Sequence, residues 1–289
     1  MTDRTYRADL TLMPLLNFTK MHGIGNDFVM VDATQPSPAF DWAEAARLVC
    51  DRRHGVGGDG LILALDGDKG LEMRMFNPDG SESEMCGNGV RCFALFARDR
   101  GLTDSFTIPV QTGAGRLGRE VLEGGRVKVD MGKARLMAGE IGMDFAADQR
   151  FVDQFVSALG HDFRGTAVSM GNPHLVLLVS DADAYPLAEF GPALEHHPLF
   201  PMRVNVHFVQ VVDRGHIIQK TWERGAGATL ACGTGACASA VAAFLNGRTD
   251  RQVSVSLPGG DLDVQYCEDG TVFMTGLAET VFEGEISVG

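Results

Sequence analysis

The sequence predicts an α/β fold of the α+β kind, built from two related halves. Short apolar runs separated by glycines outnumber the helix-like segments, strands and helices do not alternate strictly, and one short motif occurs twice. The lack of strict alternation argues against a doubly wound parallel sheet. A motif repeated about half a chain apart indicates two similar structural units, which we expect to join near residues 131–140.

The expected strands are short runs of apolar and β-branched residues bounded by glycine or polar residues. They cover residues 28–31, 61–65, 175–179, 204–212 and 217–222. β-Branched side chains pack well on a pleated surface. We therefore expect sheet structure in both halves of the chain.

Four segments are expected to be helical, and they cover residues 41–53, 88–100, 148–159 and 234–246. The first begins at Asp41 and has Glu44 three residues later, which is the spacing of a capping box. The other three stop at Gly101, Gly160 and Gly247. Glycine is the usual residue just beyond a helix end, so these positions support the boundaries.

The repeated motif has the pattern Cys-Gly-polar-Gly-small. Its copies are CGNGV, beginning at Cys86, and CGTGA, beginning at Cys232, and each opens an apolar helix-like segment. The chain contains 6 cysteines and 36 glycines among 289 residues. At that composition one Cys-Gly-x-Gly is expected only about 0.1 times by chance, so two copies at helix starts indicate a shared role.

The chemistry of a helix start explains what that role can be. A helix N-terminus stabilises a thiolate and presents backbone N–H groups to an anion. Two facing starts would bind one carboxylate and place a sulfur on each side of the neighbouring carbon. Inverting that carbon needs a base on one face and an acid on the other. The pattern predicts Cys86 and Cys232 as a thiolate–thiol pair, and the other cysteines as small buried hydrophobic residues. These are Cys50, Cys92, Cys237 and Cys267.

Composition limits the partners and the compartment. The 25 Lys and Arg residues against 38 Asp and Glu residues give a formal net charge of −13. Such a protein repels phosphate backbones and anionic lipid surfaces, which argues against nucleic acid and membrane partners. The first sixteen residues lack the features of a signal peptide. We expect a cytoplasmic protein with reduced cysteines and, in the absence of Cys-x-x-Cys, no structural zinc.

Six segments resemble the diaminopimelate epimerases. They are FTKMHGIGNDFVMVD (18–32), RRHGVGGDG (52–60), FNPDGSESEMCGNGVRCFA (76–94), GNPH (171–174), RVNVHFVQ (203–210) and ERGAGATLACGTGA (223–236). The resemblance implies two pseudo-symmetric domains, each a curved, mostly antiparallel sheet wrapped around a central helix, with the active site in the interdomain cleft. The implied units are residues 17–132, joined by 278–289 as a returning last strand, and residues 133–277. Residues 1–16 are expected to form a leader outside the fold.

The resemblance also implies a reaction, namely the cofactor-independent epimerisation of LL-2,6-diaminopimelate to meso-diaminopimelate. The reaction belongs to lysine and peptidoglycan precursor synthesis, uses no metal and is carried out by a homodimer. Cys86 and Cys232 are the implied acid–base pair, while His174 and Glu223 adjust the cysteine pKa values and orient the substrate amine. The implied substrate-binding residues are Asn26, Asn77, Gly87, Asn88, Asn172, Asn205, Glu223, Arg224, Gly233 and Thr234.

Other functions remain possible on the residues alone. Proline and hydroxyproline epimerases generally carry His after the first Cys-Gly, where this chain has Asn88. Phenazine-type isomerases replace the cysteines, and a non-catalytic amino-acid-binding protein would not need two thiols. Residues 55–60 fit G-x-G-x-x-G, but they follow a helix and precede a strand, which is the reverse of the dinucleotide-binding order.

Two positions depart from the resemblance. Gly60 stands where many members carry Gln, and Ala228 stands where Glu is common. Both changes concern how the distant end of the substrate is held.

Overall fold

The computed structural model describes residues 14–35, 40–68, 70–83, 87–112 and 115–288. Its helices are α1 Trp42–Cys50, α2 Gly87–Asp99, α3 Ala138–Ile141, α4 Leu187–Glu195 and α5 Gly233–Leu245. Its strands are β1 Leu15–Gly23, β2 Asn26–Asp32, β3 Gly60–Gly67, β4 Gly70–Phe76, β5 Glu82–Ser83, β6 Thr107–Thr112, β7 Gly115–Val121, β8 Arg126–Lys133, β9 Gln154–Ala158, β10 His161–Ser169, β11 Pro173–Val179, β12 Asn205–Asp213, β13 His216–Glu223, β14 Gly227–Thr229, β15 Gln252–Leu257, β16 Gly260–Tyr266, β17 Thr271–Leu277 and β18 Glu279–Ser287.

All these strands belong to one hydrogen-bonded sheet network, which curves around the helices. Most neighbours are antiparallel, and the parallel pairs are β2–β3, β4–β6, β11–β12 and β13–β15. The predicted fold class, a mixed α/β fold with few helices and a large curved sheet, is therefore confirmed.

Helices α2 and α5 lie inside the curved sheet. Nearly every residue of both helices is buried, and a helix that is covered all round belongs to a core. α2 contacts β1, β2, β3, β7 and β8, whereas α5 contacts β10 to β13 and β15 to β17. The two helices also contact each other, and Asn88 in the first turn of α2 lies near Gly233 at the start of α5. This arrangement brings together the starts of the two helices, each of which belongs to one copy of the repeated motif.

The end of the chain returns to its beginning. β18 pairs antiparallel with β1 over eight residue pairs, from Leu15 opposite Ser287 to His22 opposite Glu279. Because β1 begins at Leu15 and Leu16 is buried, these two residues belong to the sheet and not to the expected leader. The rest of that leader, residues 1–13, lies outside the described residues.

The predicted helix over residues 148–159 is wrong. The segment instead contains β9, which pairs with β10 through a two-residue turn at Leu159 and Gly160. Phe151 is buried and Phe155 is 68% exposed, although a helix would place both on one face. Val156 and Ala158 are buried alternately with exposed neighbours, which is the period of a strand.

The other three predicted helices are confirmed with small changes of boundary. α1 begins after Asp41, whose carboxylate accepts hydrogen bonds from the backbone N–H groups of Ala43 and Glu44. Gly101 and Gly247, which follow α2 and α5, both have positive φ. Sequence reasoning missed the short α3 and also α4, which carries Pro192 inside it. In the described part of the chain, no helix is long and apolar enough to cross a membrane.

Candidate active site

Helix α5 starts at the second copy of the repeated motif. Cys232 is its N-cap residue in an extended conformation, and Gly233, Thr234 and Gly235 form the first turn. A Cβ on Gly235 would stand 2.3 Å from Cε1 of His207 and 3.0 Å from the Cys232 sulfur. Only glycine fits at this position, because the helix start lies directly against β12.

The Cys232 side chain is 4% exposed and lies between two oxygen atoms. Its sulfur is 3.2 Å from Oε2 of Glu223 and 3.8 Å from Oγ1 of Thr234. Burial, together with the nearby Glu223 carboxylate, raises the pKa of Cys232 well above its usual value. The expected lowering of this pKa by the helix start is therefore wrong for the structure described. Cys232 is a thiol at neutral pH, and its S–H donates to Glu223.

The first copy of the motif is described only from Gly87 onward. Cys86, the other predicted catalytic residue, lies outside the described residues. Asn88 is buried in the first turn of α2, and its Nδ2 donates to Oδ1 of Asn26 over 3.2 Å. Its Oδ1 has no hydrogen-bond partner among the described residues and lies 3.8 Å from where a Cβ on Gly233 would stand. Asn88 therefore faces the start of the other helix.

A cavity of about 570 Å³ lies between the two helix starts. Nine of the predicted site residues line it, namely Asn26, Gly87, Asn88, Asn172, Glu223, Arg224, Cys232, Gly233 and Thr234. Sequence reasoning missed Ser83, Met170, Gly171 and Ala231, which also line it. All four lie within or directly beside the recognised motifs, so their place in the sequence was the available signal.

Of the predicted site residues that the structure describes, three do not line this cavity. Asn77 lies in the connection after β4, where its Nδ2 donates to Oγ of Ser81 over 3.0 Å. Asn205 is buried behind the cavity, and its Oδ1 accepts the backbone N–H of Arg224 over 2.9 Å. Asn205 thus holds the segment that carries Arg224, whose Nη1 also donates to the Met202 carbonyl.

His174 is the third, and it lies fully buried behind Asn172. Its Nε2 is 2.8 Å from Oδ1 of Asn172, and its Nδ1 is 2.9 Å from Nε2 of His207. Burial, then the neighbouring His207 and Arg224, lower the pKa of His174 well below its usual value. His174 is a neutral residue that holds Asn172, one step away from the cavity wall.

A cluster of charges adjoins the cavity at Asn26. Asp59 accepts from Nδ2 of Asn26 over 2.6 Å, and Arg52 joins Asp59 to Asp27 at 2.7 Å from each. Lys20 is almost fully buried beside Asp27 at 2.5 Å. Burial disfavours the Asp27 carboxylate, but hydrogen bonds from Arg52 and Lys20 dominate and lower its pKa to about 2. Asp59 belongs to the glycine-rich segment at residues 55–60, so this segment contributes to the charge cluster. The sequence pattern did not reveal that role.

The two departures from the resemblance lie in different surroundings. A Cβ on Gly60 would stand 2.9 Å from Cε of Met75 and 3.0 Å from the Phe76 carbonyl, so β4 already covers this position. Ala228 is exposed on β14 and does not line the cavity. In the described ranges, no group of three or more His, Cys, Asp or Glu side chains is arranged to hold a metal ion.

A solved structure with the same architecture is the phenazine biosynthesis protein of the PhzF family from Bacillus anthracis. It matches with a TM-score of 0.68 at 20% identity, covering 96% of this chain and 100% of that chain. At this identity the likeness defines the fold.

The sequence comparisons define the family. A family model described as diaminopimelate epimerase matches residues 18–137 and 166–281. The diaminopimelate epimerase of Leptospira biflexa is 47% identical over 279 residues, covering 94% of this chain and 99% of that protein. The diaminopimelate epimerase of Desulforudis audaxviator is 51% identical over 275 residues, covering 93% and 99%.

Fold and relatives together define an enzyme of the isomerase class, an epimerase. More narrowly, the chain belongs to the diaminopimelate epimerase family.

Proposed function

We propose that this enzyme interconverts LL- and meso-2,6-diaminopimelate by moving a proton between Cys86 and Cys232, without a cofactor. The observation that carries the proposal is the buried Cys232 thiol, bonded to Glu223, at the start of α5 and facing the start of α2. Cys86 directly precedes Gly87 in the sequence. The names of the relatives support diaminopimelate as the substrate.

The proposed reaction balances with one thiolate and one thiol. The Cys86 thiolate removes the α-proton, so a C–H bond breaks, an S–H bond forms and the electron pair passes into the substrate carboxylate. The Cys232 S–H then delivers its proton to the opposite face of the same carbon, leaving a thiolate at Cys232. The reverse reaction exchanges the two roles. General acid–base catalysis of this kind contributes about 10²- to 10⁴-fold to a rate.

The two helix starts suit the reacting carboxylate. Gly87 and Gly233 begin helices whose first backbone N–H groups have no partner within the helix, and such groups bind anions. Asn88 and Thr234 add side-chain groups at the same two places. A charge that develops on the carboxylate during proton removal is stabilised by donors already fixed in position.

Three other residues that line the cavity suit the second amino-acid group of the substrate. Arg224 supplies a guanidinium, which matches a carboxylate, while Asn26 and Asn172 supply amide groups. Asn205 and His174 act from behind the cavity, because each is hydrogen-bonded to a residue that lines it. Asn77 also belongs to the proposed site, through its turn before β5.

The test follows the substrate α-hydrogen. Purified protein free of pyridoxal phosphate should exchange it with solvent deuterium and produce the meso isomer. Cys232→Ala should lower turnover at least about 10²-fold. Cys237→Ala is the matched control, because Cys237 lies five residues further along the chain, inside α5, and burial raises its pKa to about 12. Full turnover in Cys232→Ala would overturn the proposal.

A substrate panel separates this function from its rivals. LL-diaminopimelate, lysine, proline and hydroxyproline can be compared by chiral analysis. Only the first should be inverted at an appreciable rate. Inversion of proline or hydroxyproline in preference would favour the alternative epimerase.

The organisation of the enzyme is proposed with it. We infer two halves, residues 17–132 with 278–289 and residues 133–277, with the cavity between them. The pairing of β1 with β18 supports the return of the last strand to the first half. The cytoplasmic location, the homodimer and the role in lysine and peptidoglycan synthesis follow from the resemblance alone, and sedimentation equilibrium can test the dimer.

A further inference from the structure

A chain of hydrogen bonds between buried polar side chains, called the hydrogen-bond chain below, runs through the sheet behind the cavity. Nε2 of Gln219 donates to Oγ1 of Thr221 over 2.8 Å, and that oxygen is 3.0 Å from Nδ1 of His207. Nε2 of His207 is 2.9 Å from Nδ1 of His174. Nε2 of His174 is 2.8 Å from Oδ1 of Asn172. Apart from Asn172, at the edge of the cavity, every member is at most 1% exposed.

The line continues to the cysteine. Nδ2 of Asn172 donates to Oγ1 of Thr234 over 3.4 Å, and that oxygen is 3.8 Å from the sulfur of Cys232. Six hydrogen bonds therefore connect a buried glutamine on β13 to the thiol at the start of α5. His207 stands at the middle of the buried part, and Gly235 is the residue that leaves room for its ring.

The direction of donation along the hydrogen-bond chain follows from the neutrality of the two histidines. Burial lowers the pKa of His207 to about 3 and holds that of His174 well below its usual value. A neutral imidazole has one donor nitrogen and one acceptor nitrogen. Since Oδ1 of Asn172 can only accept, Nε2 of His174 carries the hydrogen and its Nδ1 accepts.

The remaining positions are then determined. His207 must donate from Nε2 to His174, so its Nδ1 is an acceptor, and it faces the Thr221 hydroxyl at 3.0 Å and Nε2 of Gln219 at 3.3 Å. The Thr221 oxygen in turn accepts from Gln219. At the other end the Thr234 oxygen accepts from Asn172, which leaves its hydrogen for the Cys232 sulfur. Every donor points towards the cysteine.

We propose that His207, Thr221 and Gln219 are positioning residues of the reaction, which orient this chain so that the Thr234 hydroxyl donates to the Cys232 sulfur. The inference rests on the proposed role of Cys232 as acid and base. Linked hydrogen bonds strengthen one another in a buried environment. The chain thus favours the thiolate that forms after Cys232 has given up its proton, whereas Glu223 on the other side accepts from the thiol.

Among the described residues, few charged or titratable groups act on this hydrogen-bond chain. Arg224 and His207 are the charged or titratable groups that act on His174. Glu223 is the carboxylate that acts on Cys232. Oε1 of Gln219 is buried without a hydrogen-bond partner among the described residues. Its Nε2, by contrast, faces both Oγ1 of Thr221 and Nδ1 of His207, so Gln219 begins the hydrogen-bond chain as a donor.

The first test reads the proton positions directly in the wild-type enzyme. In ¹⁵N-labelled protein at pH 7.5, the ring-nitrogen shifts distinguish the Nε2–H from the Nδ1–H tautomer. Both His174 and His207 should be neutral Nε2–H tautomers. An Nδ1–H tautomer or a charged ring at either residue would overturn the proposal. This measurement needs no turnover, so it is decided even if the proposed substrate is wrong.

The second test uses variants of the central residue. His207→Leu removes both nitrogens, while His207→Gln keeps a donor near the position of Nε2. One hydrogen bond to a charged group changes an equilibrium about tenfold, so His207→Leu should lower kcat about tenfold with KM within about twofold. The rate of Cys232 alkylation at fixed pH should fall by a similar factor, because the thiolate is less stable. His207→Gln should recover most of the lost kcat and most of the lost alkylation rate.

Two further variants keep this test decisive. Phe208→Leu alters the next residue of β12, which packs in a different part of the core, and it should lower stability without changing kcat. If His207→Leu fails to fold, Thr221→Val combined with Gln219→Leu takes its place, because together they remove both donors that face Nδ1 of His207. Unchanged kcat and alkylation in the folded variant would overturn the proposal. By contrast, wild-type protein that exchanges no α-hydrogen of diaminopimelate would refute only the proposed function.

Discussion

At Cys232, four local influences act on one sulfur atom. The helix start and the Thr234 hydroxyl favour the thiolate, whereas burial and the Glu223 carboxylate favour the thiol, and the second pair prevails. Burial removes the water that would solvate the anion, and a negative neighbour at hydrogen-bond distance adds repulsion. A resting thiol at this position suits a residue that must deliver a proton to the substrate.

The buried histidines predict a loss of stability in acid. The pKa of His207 is about 3 in the folded protein and about 6.5 when unfolded, so the unfolded chain binds the proton first as pH falls. The contribution of His207 to stability is fully present above about pH 6.5 and is lost progressively between pH 6.5 and 3. Between pH 7 and pH 5 this histidine should remove about 2 kcal/mol from the free energy of unfolding.

Urea unfolding at the two pH values checks this. His207→Gln should lose about 2 kcal/mol less between pH 7 and pH 5 than the wild type does. His54→Gln is the control, since the His54 side chain is 83% exposed. An equal pH dependence in His207→Gln and wild type would contradict the expectation.

At the scale of elements, the hairpin β9–β10 shows how a glycine can be misread. Gly160 follows an apolar segment as it would follow a helix, but Leu159 and Gly160 both have positive φ, at 52° and 77°. Two such residues between antiparallel strands form the turn that matches the twist of the strands. Leucine adopts this conformation only with strain, because its Cβ crowds the backbone.

Leu159→Asn should therefore stabilise the protein. Asparagine is enriched at such positions, and the expected gain is about 0.5–1 kcal/mol. The Leu159 side chain is 54% exposed, so little packing is lost. The midpoint of urea unfolding should rise, whereas Gly160→Ala at the next position should lower it. A lower midpoint for Leu159→Asn would show that its side chain contributes more than the turn.

At the scale of the whole molecule, one sheet network joins both ends of the chain. β18 pairs with β1 within the first proposed half, and β17 of the second proposed half pairs with β8, so strands of the two proposed halves are hydrogen-bonded directly to each other there. Met274 of β17 is fully buried and contacts both helix starts, with Sδ 3.2 Å from where a Cβ on Gly233 would stand. These connections favour unfolding as one unit.

The two tryptophans allow this to be measured. Trp42 lies on α1 and Trp222 on β13, so each reports on a different one of the two proposed halves. In Trp42→Phe and in Trp222→Phe, the fluorescence of the remaining tryptophan should change at the same urea concentration as the far-UV circular dichroism of that variant. Comparison within each variant removes the effect of the substitution itself. Separate transitions would show that the halves unfold independently.

Much of the framework was predictable because its signals are local. Helices α2 and α5 follow from apolar segments that start at Cys-Gly and stop before Gly101 and Gly247. Strands such as β3 and β11 follow from short apolar runs. The helix prediction around β9 failed because the apolar spacing there fitted both a helix and a strand. The pairing of β9 with β10 decided between them.

The sequence by itself determined which short segments carry chemistry, namely the two Cys-Gly-x-Gly copies and the polar residues recognised beside them. Only the tertiary structure decided what surrounds each group. It placed Glu223 against Cys232, set His174 behind Asn172 and not on the cavity wall, and brought in His207, which sequence reasoning passed over. The physical reason is that helix starts and turns depend on neighbours in sequence. Burial, charge and the direction of a hydrogen bond depend instead on residues that the sheet brings together from distant parts of the chain.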